Sequence, residues 1–229
     1  MDRKIAIIGG SNLFESKVLR QTQNEIIRTP YGAVTAYYTG KAMLIQRHGI
    51  QNDPPHKINH KANLSAVKMR NVDQVLAINS VGSLKREIAP GTCCRVRDFI
   101  SFYNIPTVDT ENRIHITPAM SREINGKISQ CLSSSLPEVV YWQTTGPRFE
   151  TPAEIRMMAN FADVVGMTLG SEATIACELE LEYASVCMVD NYANGIAPNL
   201  LDFEAFNKFV EENQTKMDAF LEELLQCLC

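Results

Sequence analysis

No apolar run in this 229-residue chain exceeds strand length, and a membrane-spanning helix needs about 20 consecutive apolar residues. No membrane partner is therefore expected. Basic tails and stripes are missing too: the formal net charge is -4 and the pI about 5.6. That leaves no electrostatic footprint for a nucleic acid polymer. The start, Met1 to Gly10, is too short an apolar run for a signal peptide and ends in Gly-Gly-Ser, where a first strand would turn. A cytoplasmic protein is expected. None of the seven cysteines forms a C-x-x-C pair and their number is odd, which argues against a disulfide framework. They read as small buried hydrophobes. The four histidines offer no ligand pair on a helix, so no metal is expected. Linkers, internal repeats and low-complexity tracts are absent, and no Ser/His/Asp constellation is visible.

What is present is an ordinary globular balance, 45% hydrophobic and 21% charged, enough for a large core. Residues 1–229 suit one domain. Short β-branched or apolar runs mark strands at Lys4–Ile8, Ala42–Gln46, Gln74–Asn79, Val139–Gln143, Asp163–Val165 and Tyr183–Val189, with a more exposed strand at Tyr31–Tyr38. Helical spacing appears at Asn59–Met69, Ser121–Ser133, Pro152–Asn160, Ser171–Leu179 and Leu201–Leu228, the last reading as a docking helix. This alternation predicts an α/β fold: a single domain with a mixed, mostly parallel central sheet flanked by helices.

Several strand ends carry chemistry. Gly9-Gly10-Ser11 follows a strand directly, letting backbone N–H groups approach an anion while the hydroxyl adds a donor. Most such turns bind nothing. Gln46-Arg47-His48-Gly49 ends another strand, with a guanidinium fork suited to phosphate and a neighbouring imidazole as second donor. A strand-end arginine taken alone is more often a surface ion pair. Asn79-Ser80-Val81-Gly82-Ser83 ends the next strand in the same way, and Thr168 supplies a further hydroxyl. Several strand ends converging on one anion is the arrangement expected at the carboxyl edge of an α/β sheet.

Three later phrases belong with these: G-P-R-F-E-T-P-A-E (Gly146 to Glu154), V-G-M-T (Val165 to Thr168) and D-N-Y-A-N-G (Asp190 to Gly195). Together with I-A-I-I-G-G-S and Q-R-H-G they resemble the trimeric nucleoside phosphorylases, and within them the methylthioadenosine and methylthioinosine phosphorylase branch. That family splits the N-glycosidic bond of purine nucleosides with inorganic phosphate. The resemblance implies a nucleoside phosphorylase-like fold, a homotrimer or hexamer, no cofactor, and phosphate as co-substrate of a small-molecule purine nucleoside. It assigns phosphate to Ser11, Arg47, His48, Ser80 and Thr168. It places Phe149 on the purine face, Glu150 at N1–H, Met167 under the ribose and Asn191 at N7 and O6. His115 is implied to reach the 5′ region of a neighbouring subunit's site, with a solvated loop histidine as its bland alternative. Glu172 and Glu178 resemble family positions that tie the scaffold.

Glu150 and Asn191 together favour 6-oxopurines such as 5′-methylthioinosine, inosine or guanosine, because only these carry a proton on N1 and adenine offers a bare acceptor. Departures stand at Asn12, where the family has Gly, at Asn52, where relatives often have His, and at Asp190, where Thr is usual. A one-residue slip would make Asp190 the N7 partner and restore an adenine reading; an ion pair or helix cap is its bland reading. The stretch Phe102–Pro118 is shorter than its family counterpart, which contributes to a subunit contact. The implied chemistry is attack of phosphate on C1′ through an oxocarbenium-like transition state, without a covalent enzyme intermediate. Open alternatives are an adenine-specific phosphorylase, a nucleosidase using water, and a non-catalytic purine-binding homologue.

Overall fold

Alternation along β1 (Ile5–Gly9) places Ile5 and Ile7 in one core and Ala6 and Ile8 in another, because successive side chains leave a strand on opposite faces. A strand apolar on both sides needs cover on both sides, as parallel sheets do. The computed structural model describes residues 5–10, 13, 16, 22–40, 42–103, 105–112, 115–132, 135–197 and 218–228. Ser11, Asn12 and the 201–217 part of the expected terminal helix lie outside these.

The strands are β1, β2 (Gln23–Thr29), β3 (Gly32–Thr39), β4 (Ala42–Gln46), β5 (Gln74–Ser83), β6 (Cys93–Ile100), β7 (Glu138–Gln143), β8 (Val164–Gly166) and β9 (Glu182–Tyr192). They form a sheet in the order β2-β3-β4-β1-β5-β8-β7-β6-β9, with β9 returning to pair with β5. The pairings β4–β1–β5–β9 are parallel, as are β6–β7–β8. β5–β8 and β6–β9 are antiparallel and close the second half into a ring. A mixed sheet of this kind matches the fold class expected from sequence.

Helices α1 (His60–Met69), α2 (Arg122–Cys131), α3 (Pro152–Met158) and α4 (Leu169–Glu178) cover the sheet. Leu64 and Val67 of α1 and Ala173 and Ile175 of α4 pack with Ala6, Ile8 and Ile45 on one face. Ile124 and Ile128 of α2 pack on the other, joined by Leu221 and Leu224 from the helical stretch 218–228. That stretch docks as its apolar spacing predicts.

Two strands have no counterpart in the sequence reading. β2 is mostly polar and buries only Ile27, leaving Ile26 exposed, so it lacks the alternation that marks a half-buried strand. It is an outer strand held by its hairpin with β3. β6 buries only Cys94 and Val96, and its two arginines and aspartate mask the period of two. Its cysteines behave as expected of small hydrophobes. Cys94 lies opposite Cys187 across the β6–β9 pair, and burial raises the thiol of Cys93 to about 11 and of Cys94 to about 12.

Candidate active site

Register brings the first strand ends level: Gly9 of β1 lies beside Gln46 of β4 and Ile78 of β5. Arg47, the next residue after β4, is 2% exposed and reaches back across all three strands. Its Nη1 donates to the Ile78 carbonyl at 2.8 Å and Nη2 to the Ile8 carbonyl at 3.2 Å. Nε and Nη2 take the two oxygens of Glu172, at 2.5 and 3.1 Å. Glu172 is fully buried on α4 and also accepts from Tyr183 at 2.9 Å. Burial is the largest single influence and would raise its carboxyl, but the charge and hydrogen bonds of Arg47 together with those of His60 outweigh it and hold the group well below the usual carboxylate range.

This corrects one expectation. A guanidinium has five N–H groups in a fixed fork, and Glu172 and two carbonyls engage four of them. Arg47 therefore offers an anion one Nη1–H and its charge, not a bidentate fork. That Nη1 points toward Gly10, where an added Cβ would lie 3.1 Å from it. The same Cβ would lie 3.4 Å from Nε2 of His48. A side chain at position 10 would thus crowd the space into which both groups reach.

His48 differs from expectation as well. Its Nδ1 lies 2.6 Å from the Asp53 carbonyl, and a carbonyl only accepts, so Nδ1 carries the proton. Burial, foremost, lowers the imidazole's affinity for a second proton. The neutral ring then presents the Nε2 lone pair, an acceptor suited to the hydroxyl of hydrogen phosphate rather than a second donor. Asn52 nearby sits at φ 53, a left-handed conformation that asparagine tolerates better than most residues.

Thr168 precedes α4 as its N-cap but makes no capping bond. Its Oγ1 accepts from Asn79 Nδ2 at 2.8 Å, and Asn79 Oδ1 accepts from Ser185 at 2.7 Å. With its oxygen engaged this way, the Thr168 hydroxyl hydrogen is left for a ligand. The first turn of α4 is otherwise occupied: the N–H of Thr168 goes to Tyr141, and those of Gly170 and Ser171 to Gln143. Ser80, half-buried on β5, is hydrogen-bonded to Asp190.

The G-P-R-F-E-T-P-A-E phrase, expected from the resemblance to meet the purine, is a helix start in its second half. Thr151 caps α3 in a capping box with Glu154, and Pro152 opens the helix. Arg148 adds a bidentate pair to Glu154, 2.8 Å on each side. Glu150, just ahead of this cap, is 8% exposed, with Oε1 accepting from Thr144 at 2.6 Å and its carbonyl from Asn194 at 2.9 Å. Thr144 follows β7 and holds the carboxylate, while Asn194 follows β9 and holds the backbone of the same residue. Phe149 beside it is half-buried. Met167 is half-buried too, its Sδ 2.8 Å from where a Cβ on Gly146 would lie, which at φ 64 favours glycine on both counts.

Asn191 is half-buried and donates one Nδ2 hydrogen to the Tyr192 carbonyl at 2.9 Å. It lies opposite Gly82, with Nδ2 3.2 Å from the position of a Cβ there. A register shift between Val81 and Gly82 leaves Asp190 without a ladder partner. Asp190 is 2% exposed, one carboxylate oxygen has no hydrogen-bond partner, and among the described residues it forms no ion pair. The ion-pair and helix-cap readings of Asp190 therefore do not hold there. His115 is exposed. Glu178 accepts from the Val108 N–H at 2.6 Å, so both α4 glutamates tie the scaffold as expected. Asn79, Thr144, Tyr141 and Ser185 were not singled out from sequence for these contacts; only Asn79 had a signal, its place in a strand-end motif.

His56 and His60 stand four apart, a spacing the sequence reading passed over. They do not share a helical face: His56 lies in a 3₁₀ turn and the Asn59 cap separates it from α1. Among the described residues no group of three or more His, Cys, Asp or Glu side chains is placed to hold a metal ion.

The arrangement has relatives. Residues 4–226 match the Phosphorylase superfamily. The chain is 40% identical to a probable 6-oxopurine nucleoside phosphorylase of Archaeoglobus fulgidus, over 97% of this chain and 96% of that one. It is 37% identical to a probable S-methyl-5′-thioinosine phosphorylase of Methanocaldococcus jannaschii, over 98% and 96%. Among solved structures, an adenosine/methylthioadenosine phosphorylase variant of Schistosoma mansoni superposes with a TM-score of 0.84 at 22% identity, over 99% of this chain and 90% of that one. Matched from residue 4 to residue 226 and 40% identical to one such relative, the chain belongs to the Phosphorylase superfamily.

Proposed function

We propose that this protein cleaves purine nucleosides with inorganic phosphate, releasing the free purine and (5-methylthio)ribose 1-phosphate, and that it selects 6-oxopurines such as 5′-methylthioinosine, inosine or guanosine. The observation that carries base choice is Glu150. Its carboxylate accepts from Thr144 at the end of β7 and its backbone is held by Asn194 after β9, which leaves the second carboxylate oxygen to accept from N1–H of a 6-oxopurine. The related proteins that carry 6-oxopurine and methylthioinosine phosphorylase names support the same reading.

Phosphate would bind among Arg47 Nη1–H, the Thr168 and Ser80 hydroxyls and the His48 lone pair, with Ser11 completing the loop. No cofactor is required. As the glycosidic bond breaks, Asn191 donates to N7 of the departing purine and Glu150 holds its register. Phe149 stacks on the base, Met167 lies against the ribose, and phosphate attacks C1′ from the opposite side. Positioning and fixed dipoles supply the rate enhancement. We place His115 at the 5′ region of a partner's site in a homotrimer or hexamer. Phe102, Tyr103 and Ile105 stand 67%, 75% and 59% exposed, apolar area suited to a subunit contact.

A phosphate-dependent base-release assay with methylthioinosine, inosine, guanosine and methylthioadenosine tests this. Free ribose as product, formed equally without phosphate, would make the protein a nucleosidase. Preference for methylthioadenosine would overturn the base assignment.

A further inference from the structure

Asp190 is a buried titratable group that this chemistry leaves unused. It occupies the bulge of β9 against β5, where Val81 pairs with Val189 and Gly82 with Asn191. A bulge residue re-aims its side chain and commonly lies beside an active site. Here Asp190 joins both halves of the site: it precedes Asn191 in the chain and is hydrogen-bonded to Ser80. Its second oxygen is buried without a partner.

A serine hydroxyl has a single proton. If Asp190 is ionised it can only accept, so Ser80 must turn its hydrogen to Asp190 and present lone pairs to an anion. If Asp190 is protonated it donates to Ser80 Oγ, and the Ser80 hydrogen is released toward the ligand. We propose that Asp190 is a positioning residue that must be protonated for Ser80 to donate to bound phosphate, so that anion binding draws one proton onto the protein. This rests on the phosphate site proposed above.

The surroundings favour such a switch near neutrality. Burial, opposed only by the Ser80 bond, raises Asp190 to about 7. The titratable groups facing it are thiols, Cys93 from β6 and Cys187 from β9, both pushed up by burial and both neutral at this pH. Glu172 on α4 is engaged by Arg47 and Tyr183. Among the described residues no cation offsets the charge of Asp190.

The test uses sulfate, which does not titrate in this range, as a competitor of phosphate in turnover and as a binding probe by calorimetry, between pH 6 and 9. For the unmodified protein, sulfate affinity should fall about tenfold per pH unit above the midpoint, with uptake of up to one proton seen in buffers of different ionisation heat. Asp190→Asn, neutral and nearly isosteric, should bind sulfate with little pH dependence and more tightly than the unmodified protein at pH 8.5. Ser80→Ala should also lose the slope, with weaker binding throughout. An Asp190→Asn protein that keeps the full slope, or an unmodified protein without one, overturns the proposal while leaving the phosphate site standing. Failure of both sulfate and phosphate to bind would remove the site itself and this inference with it.

Discussion

Nε and Nη2 of Arg47 hold the two oxygens of Glu172 at 2.5 and 3.1 Å in a pair that solvent does not reach. Glu172 and the carbonyls of Ile8 and Ile78 together set which way the guanidinium faces and leave one N–H for a ligand. Removing one member of such a pair strands the other as a buried charge, which costs roughly 3–5 kcal/mol. Glu172→Ala should therefore lower the unfolding free energy by that order in urea denaturation, and raise the phosphate KM of whatever remains folded. Denaturation indistinguishable from the unmodified protein would show that the pair is not structural.

Arg47→Ala should weaken phosphate use far more than base binding, by roughly 2–4 kcal/mol in transition-state stabilisation. The comparison is kcat/KM for phosphate against the Kd of free hypoxanthine. Unchanged phosphate dependence would take Arg47 out of the site.

Asn79 acts through Thr168. With Asn79→Ala the Thr168 hydroxyl loses the donor that sets its direction, and one hydrogen bond of this kind contributes about 1 kcal/mol. Phosphate KM should rise about fivefold while the base inhibition constant stays put. Equal losses for both ligands would indicate a general collapse of the strand end.

Base choice hangs on Glu150. Hypoxanthine nucleosides should be cleaved better than adenine ones by roughly 10²–10⁵ in kcat/KM, because adenine leaves the carboxylate unpaired. Glu150→Gln should narrow that gap, since an amide can turn a donor to adenine N1. Asn191→Asp should shift it further toward adenine. Steady-state kinetics on methylthioinosine and methylthioadenosine decide both.

Asp190 also predicts a stability profile. Its pKa is raised from the ordinary 3.8 to about 7, so between those values the folded protein binds more protons than the unfolded chain. Stability must then fall as pH rises through that window. Asp190→Asn should flatten this part of the Tm–pH curve and raise Tm at pH 8. A parallel curve for the variant would mean that Asp190 is ionised throughout.

Much was legible from local pattern. Buried strands such as Ala42–Gln46 carry their own apolar run, helix starts carry their caps, strand-end motifs picked out Arg47, Ser80 and Thr168, and the family resemblance added Glu150 and Asn191. These signals span few residues, so the sequence by itself determines an α/β chain with polar groups suited to an anion at its strand ends. It did not show β2, whose exposed polar residues are strand only because β3 pairs with them. Nor did it show what each group presents. Arg47 and Glu172 are 125 residues apart, Asn79 and Thr168 are 89, and Ser185 and Asn79 are 106. The His48 tautomer depends on a backbone carbonyl, and the burial of Asp190 on a bulge between two strands distant in sequence. Hydrogen-bond direction and desolvation arise only where remote segments meet, and so the tertiary structure alone decided which proton each group offers.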